Sequence, residues 1–254
     1  MKIIIGNIKM NIVSQIEREN YFKGMENCLA GKNFKNIKVV LCPPLIHLES
    51  FKNRIKNEAV FFGAQNIHEE EMGRFTGEIS APMVKNFGGD YAIIGHSERR
   101  KYFSEDNGLV NEKVKMALKN NLIPVICIGE TEEERANGQI KSVITNQLLE
   151  SLDGIADKKI SQLIITYEPV WAIGSGRVPT SDEIMEIRIL MQKILTDKFN
   201  LSLDEMPQII YGGSVEFKNI KEVCLESGMS GVLVGGESLH PMDFIKMGEV
   251  LENN

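Results

Sequence analysis

His96 and Glu168 have the residue types and settings that proton-transfer chemistry requires. His96 follows an apolar run through a glycine and precedes Ser-Glu-Arg, which could begin a short helix. An imidazole at a helix N-terminus is disfavoured as a cation, and a neutral imidazole can donate a hydrogen bond that polarises a carbonyl. Glu168 follows Leu-Ile-Ile-Thr-Tyr, and Pro169 fixes the backbone behind it. A carboxylate there suits removal of a proton from the carbon beside a carbonyl.

Lys9 and its neighbours admit several interpretations. At the end of a first strand, the Lys9 ammonium could stabilise developing negative charge. It could instead form a Schiff base, as in aldolases, or be an exposed lysine. Asn7 could contact a substrate or simply form a turn. Glu98 could balance the Lys9 charge or be an ordinary carboxylate at a helix start.

Glycine-rich clusters late in the chain could bind an anion. Glycines let the backbone approach a ligand closely, and backbone amides at a helix start can point at a negative charge. Each cluster alone could be only a turn, but three in succession after predicted strands favour a binding site. The residues concerned are Gly174, Ser214, Gly235 and Gly236.

Short apolar runs alternate with segments of helical period along the whole chain, which predicts parallel β/α units. The predicted strands are 2–6, 38–42, 60–63, 91–95, 123–127, 163–167, 209–211 and 232–235. Amphipathic helices are predicted within 112–119, 139–149 and 182–194, the last capped by Thr180 or Ser181. The pattern does not separate a closed barrel from an open sheet. Because no linker or composition shift divides residues 1–254, we expect one domain.

Composition excludes several classes of function. The net charge is −6 and the basic residues are dispersed, so no nucleic-acid footprint is expected. The four cysteines are scattered with no CxxC motif and no histidine cluster nearby, which argues against a metal site and is typical of a reducing compartment. No apolar run approaches membrane-spanning length, and the N-terminal run is too short for a signal peptide. We therefore expect a cytoplasmic protein.

Seven segments together resemble the triosephosphate isomerase family, in family order across nearly the whole chain. They are GNIKMN at 6–11, FTGEIS at 75–80, AIIGHSERR at 92–100, CIGE at 127–130, YEPVWAIGSG at 167–176, YGGSV at 211–215 and VGG at 234–236. The resemblance implies a single-domain α/β fold, the (β/α)8 TIM barrel. It also implies interconversion of D-glyceraldehyde 3-phosphate and dihydroxyacetone phosphate, a step of glycolysis and gluconeogenesis, without a cofactor or metal.

The resemblance further implies roles for individual residues. The catalytic set would be Glu168 as base, His96 and Lys9 at the enediolate oxygens, and Asn7 as a neighbouring contact. The substrate phosphate would lie against Gly174, Ser214, Gly235 and Gly236. Residues 170–180, with an exposed Trp171, would form a mobile lid. The loop from Gln65 to Ile79 would interlock two subunits as a homodimer.

Three residues depart from the family pattern and keep alternatives open. Ile8 replaces an aromatic residue, Arg74 replaces a small residue in the expected dimer loop, and Glu237 follows the phosphate-site glycines where a small residue is typical. A carboxylate aimed at a phosphate would weaken its binding. The alternatives are an isomerase for another sugar phosphate such as a tetrulose phosphate, a Schiff-base aldolase using Lys9, and an inactive scaffold.

Overall fold

The computed structural model describes residues 1–254, and its eight strands pair in parallel and close into a barrel in sequential order. The hydrophobic pattern of the sequence allowed either a closed barrel or an open sheet, and the structure is the closed barrel. The strands are β1 (Lys2–Asn7), β2 (Ile37–Cys42), β3 (Val60–Ala64), β4 (Tyr91–Ile94), β5 (Ile123–Ile128), β6 (Ile164–Tyr167), β7 (Gln208–Tyr211) and β8 (Gly231–Val234). All eight predicted strands are found, and no predicted end differs from the observed one by more than one residue.

Helices cover the outside of the barrel. They are α1 (Gln15–Leu29), α2 (Leu45–Arg54), α3 (Ala81–Asn86), α4 (Ser97–Tyr102), α5 (Asn107–Lys119), α6 (Glu132–Ala136), α7 (Ile140–Ser151), α8 (Asp157–Ile160), α9 (Ser181–Phe199) and α10 (Pro241–Glu252). A π-helical turn (Lys221–Glu226) and 3-10 turns at Val170–Ala172, Leu203–Glu205 and Gly236–Leu239 complete the outer layer. No helix is both long enough and apolar enough to span a bilayer.

The predicted helices are present but longer than their amphipathic patterns indicated. The segment 112–119 is the second half of α5, which begins five residues earlier because the Asp106 side chain accepts a hydrogen bond from the Leu109 amide. Thr180, rather than Ser181, caps α9. The Thr180 hydroxyl accepts from the Glu183 amide while the Glu183 carboxylate accepts from the Thr180 amide.

Alternation along each strand divides the core into two layers. Ile3 and Ile5 point into the barrel, where they pack with inward residues of the other strands such as Val40 and Leu233. Ile4, between them, points outward and joins the larger cluster under the helices. The interior is thus filled by side chains rather than open as a channel, and it gives the strand ends a rigid base.

Candidate active site

A single cavity at the carboxyl ends of the strands brings together every predicted site residue. Its lining includes the catalytic candidates Asn7, Lys9, His96 and Glu168 and the phosphate-site candidates Gly174, Ser214, Gly235 and Gly236. The cavity measures about 240 Å³ and is lined mainly by polar groups and glycines. It is smaller than the roughly 300–1,000 Å³ of pockets for drug-sized ligands, so its size suits a small polar molecule.

The tautomer of His96 is determined by the start of α4. His96 is the N-cap of that helix, and the Glu98 backbone amide donates to its Nδ1 at 3.2 Å. Because Nδ1 accepts this bond, its lone pair is in use and the proton of the neutral ring lies on Nε2. Nε2 is 3.0 Å from Oε1 of Glu168. His96 thus presents one hydrogen-bond donor toward the cavity.

Glu168 lies directly beyond β6 and is almost completely buried. Its Oε2 accepts from the Ser97 backbone amide at 2.9 Å, and its Oε1 faces His96. Its backbone passes so close to Gly129 that a Cβ at that position would lie 1.9 Å from the Glu168 carbonyl oxygen. A glycine after β5 is therefore required for the Glu168 backbone to follow its path.

Lys9 extends from an unusual backbone conformation into the cavity. Its φ is 53°, in the left-handed region, and its amide donates to the Asn7 side chain while its carbonyl accepts from Gln65. Its Nζ is 2.6 Å from Oε1 of Glu98. Partial burial would raise the pKa of Glu98, but the hydrogen bond and charge of Lys9 hold that pKa below its usual value.

Several backbone amides in the cavity wall are free to bind an anion. The amides of Gly213, Ser214 and Gly235 donate to no group of the chain. Gly213 must be glycine, since a Cβ there would lie 2.2 Å from the Tyr211 hydroxyl oxygen. The Lys9 side chain adjoins Gly235, as a Cβ on that glycine would be 3.9 Å from Nζ. The arrangement provides donors and one nearby cation, as a phosphate requires.

The segment 170–180 passes over the edge of the cavity and is exposed from Gly174 to Arg177. The expectation of an exposed Trp171 is wrong. The indole is partly buried, donates to Glu130 Oε1 at 2.8 Å, and lies between the guanidinium groups of Arg135 and Arg177. These contacts tie the first part of the segment to Glu130 and Arg135.

Sequence reasoning missed Glu130 and Gly129, although both lie in the CIGE segment. Glu130 is fully buried, and its Oε1 accepts from Tyr167 as well as from Trp171. Burial, followed by the Glu130 charge, raises the pKa of Tyr167 above its usual range. An acidic residue after an apolar strand was the available signal, but Tyr167 and Trp171 are about 40 residues away from it and no local pattern reveals those two contacts.

The three departures from the family pattern lie in different surroundings. Ile8 is fully buried in the outer core cluster, so it packs beneath the site without entering it. Arg74 is exposed on the loop after β3. Glu237 lines the cavity beside the glycine cluster. No group of three or more His, Cys, Asp or Glu side chains is placed to hold a metal ion.

Comparison with known proteins agrees with this geometry. A family model described as triosephosphate isomerase matches residues 2–251. The chain is 40% identical over 243 residues to triosephosphate isomerase of Dictyoglomus thermophilum, covering 96% of both chains, and 40% identical over 244 residues to that of Alkaliphilus oremlandii, with the same coverage. The crystal structure of triosephosphate isomerase from Bartonella henselae superposes with a TM-score of 0.85, at 32% identity over 98% of each chain. With the closed barrel and the strand-end cavity, these matches show that the chain belongs to the triosephosphate isomerase family.

Proposed function

We propose that the chain interconverts D-glyceraldehyde 3-phosphate and dihydroxyacetone phosphate at the strand-end cavity, without a cofactor. The observation that carries the proposal is the pairing of Glu168 with the Nε2 side of His96 in the same cavity as Lys9 and several free backbone amides. A base, a neutral donor, a cation and an anion cradle are the groups that isomerisation of a small phosphorylated sugar requires. The pairing of a glutamate base with a neutral histidine is the one established for triosephosphate isomerases.

In this reaction Glu168 removes the proton from the carbon beside the substrate carbonyl. The electron pair of the broken C–H bond forms the carbon–carbon double bond, and negative charge develops on the carbonyl oxygen. Nε2–H of His96 and the Lys9 ammonium stabilise that oxygen. His96 must first exchange its contact with Glu168 for the substrate oxygen, since its one donor cannot serve both. Return of the proton to the neighbouring carbon, with proton transfer between the two oxygens, completes the exchange.

The environment of Lys9 favours this electrostatic role over a Schiff base. A Schiff base requires an amine that is free to attack a carbonyl carbon, whereas Lys9 Nζ is held 2.6 Å from Oε1 of the Glu98 carboxylate. Retention of Lys9, His96 and Glu168 in one cavity likewise argues against an inactive scaffold. Borohydride trapping with substrate should leave Lys9 unlabelled.

The assignment of roles is tested with two isosteric variants. We expect Glu168→Gln to lose about 10²–10⁴-fold in kcat, the usual contribution of a general base, while the circular dichroism spectrum stays native. His96→Gln should lower kcat more than it raises KM, because its donor acts mainly on charge that appears in the transition state. Near-native rates in both variants would show that other residues carry the reaction.

We also propose a homodimer that forms through the loop between Gln65 and Ile79. Large apolar side chains are exposed on segments that follow the neighbouring strands β1, β2 and β3: Met10, Val13, Ile46, Met72 and Phe75. The carboxyl ends of neighbouring parallel strands lie side by side, so these side chains belong to one region of the surface. A grouped apolar surface of this kind favours association with a second copy rather than exposure to water.

Sedimentation can test the dimer with a matched pair of variants. Met72 is 84% exposed within the expected interface, and Leu203 is 83% exposed before β7, at the opposite end of the barrel. Met72→Asp should dissociate the dimer at micromolar concentration, while Leu203→Asp should leave it intact. A monomeric parent protein, or a Met72→Asp variant that stays dimeric, would contradict the proposal.

Two broader proposals complete the functional account. Residues 1–254 act as one domain, which is supported by the pairing of β1 with β8 across the full length of the chain. Thermal unfolding should then show a single transition.

The protein works in the cytoplasm, a proposal that its four free cysteines support. Cell fractionation with an antibody checks that location.

A further inference from the structure

Three charged side chains, Glu216, Lys218 and Glu237, form what we term the acidic rim of the cavity. Glu216 and Glu237 line the same cavity as Ser214 and Gly235, whose amides are free. Lys218 Nζ is 2.6 Å from Glu216 Oε2. The rim therefore places two carboxylates and one ammonium beside the anion cradle, with one negative charge in excess.

Glu237 is the rim carboxylate without a partner. Its side chain forms no hydrogen bond and no ion pair within 4.0 Å, whereas Glu216 is paired with Lys218. The pKa of Lys218 is raised mainly by the hydrogen bond to Glu216 and the charge of Glu216, and less by the charge of Glu237. Glu237 therefore lies within electrostatic reach of Lys218 but has no oppositely charged group in contact with it.

The backbone around Glu237 is anchored at the wall of the cavity that this residue lines. Ser238 is fully buried, and its hydroxyl donates to the Gly235 carbonyl at 2.6 Å, with a second contact to the Asn7 carbonyl at 3.2 Å. The Glu237 carbonyl accepts from the His240 amide. These bonds fix the position of the Glu237 backbone at the cavity wall, and the Glu237 side chain is only partly exposed.

We propose that Glu237 is a specificity-determining residue that weakens retention of phosphate dianions in this cavity and disfavours ligands with additional negative charge there. The inference rests on the proposed function in that it concerns the phosphate end of the same site. Like charges repel throughout the reaction, so the effect is equal in the ground state and the transition state. Removing the carboxylate charge should accordingly lower KM and leave kcat changed by less than about twofold.

The test compares Glu237→Gln with Glu58→Gln, using inorganic phosphate as the probe. Both variants remove one negative charge, but Glu58 is exposed just before β3, at the other end of the barrel. Calorimetry at low ionic strength should show phosphate binding about three- to tenfold tighter in Glu237→Gln, and unchanged in Glu58→Gln. The gain should shrink in about 0.5 M salt, where surface charges are strongly screened.

The KM for glyceraldehyde 3-phosphate should fall in parallel in Glu237→Gln. Phosphate binding that is unchanged or weaker in Glu237→Gln, or an equal gain in Glu58→Gln, would overturn the inference even if the enzyme is fully active. Tighter phosphate binding by Glu237→Gln, in a protein that does not isomerise triose phosphates, would instead support the inference and contradict the proposed function.

Discussion

Addition of one methyl group at Gly129 should slow turnover about 100-fold without unfolding the barrel. The new Cβ would lie 1.9 Å from the carbonyl oxygen of Glu168, whereas side-chain Cβ atoms keep at least about 3.0 Å from such neighbours. The two segments must therefore separate by about 1.1 Å. Gln147 holds Gly129 on the other side, since it accepts from the Gly129 amide at 2.8 Å and donates to its carbonyl at 3.1 Å.

Because Gly129 is clamped, the displacement falls mainly on Glu168. A misplacement of about 1 Å in a catalytic group costs on the order of 100-fold in rate, or about 2.7 kcal/mol of activation free energy. Strain of this kind also costs about 1–3 kcal/mol of stability, which a domain of ordinary stability tolerates. Steady-state kinetics of Gly129→Ala, with circular dichroism to establish folding, measure both effects.

Gly108→Ala is the matched control for this substitution. The nearest atom to a Cβ at Gly108, in α5, is 3.4 Å away, which is ordinary contact distance. We expect its kcat to equal that of the parent protein. A folded Gly129→Ala enzyme with near-native kcat would refute the argument that the Gly129 contact positions the catalytic carboxylate.

Two further predictions concern titratable groups. The Thr180 amide donates to Glu183 and, against partial burial, holds the Glu183 pKa below its ordinary value of 4.5. The stability from this bond is therefore present above pH 4.5 and is lost as pH falls through the lower pKa of the folded state. In urea unfolding, the free energy of unfolding of Glu183→Gln should therefore fall below that of the parent by more at pH 7 than at pH 3. Burial raises the pKa of Cys224 to about 11, and the thiols of Cys42 and Cys127 are also buried away from reagents. Iodoacetamide at pH 8 should therefore modify only Cys28 in the native protein. Rapid modification of a second thiol, or equal urea stability at both pH values, would contradict the respective prediction.

The strands were predictable because parallel strands covered on both faces are apolar throughout. Thus β5 (IPVICI) is apolar throughout and β6 (IITY) begins with two isoleucines, and the observed ends agree with the predicted ones within one residue. The first half of α5 was not predicted, because Asn107 and Gly108 favour turns and only the Asp106 cap makes them helical. Closure of the barrel could not be predicted from the hydrophobic period, which is the same in open and closed parallel sheets. It was expected only from the family resemblance.

The site was predictable where a residue's role depends on its place at a strand end. His96 and Glu168 each follow an apolar run, and both reach the same cavity. The supporting contacts were not predictable, because they join segments far apart in the chain. Gly129 supports Glu168 across 39 positions, and Glu130 holds Trp171 across 41. No local period encodes such pairs, so the partly buried position of Trp171 could be found only from the folded structure.

The most direct test of the account is a coupled assay of the purified protein on glyceraldehyde 3-phosphate, beside a four-carbon ketose phosphate. We expect rapid turnover of the triose phosphate and slow or no turnover of the larger sugar, because the chain belongs to the triosephosphate isomerase family. Negligible triose turnover with robust activity on the four-carbon substrate would contradict the central claim and move the activity to a related isomerase.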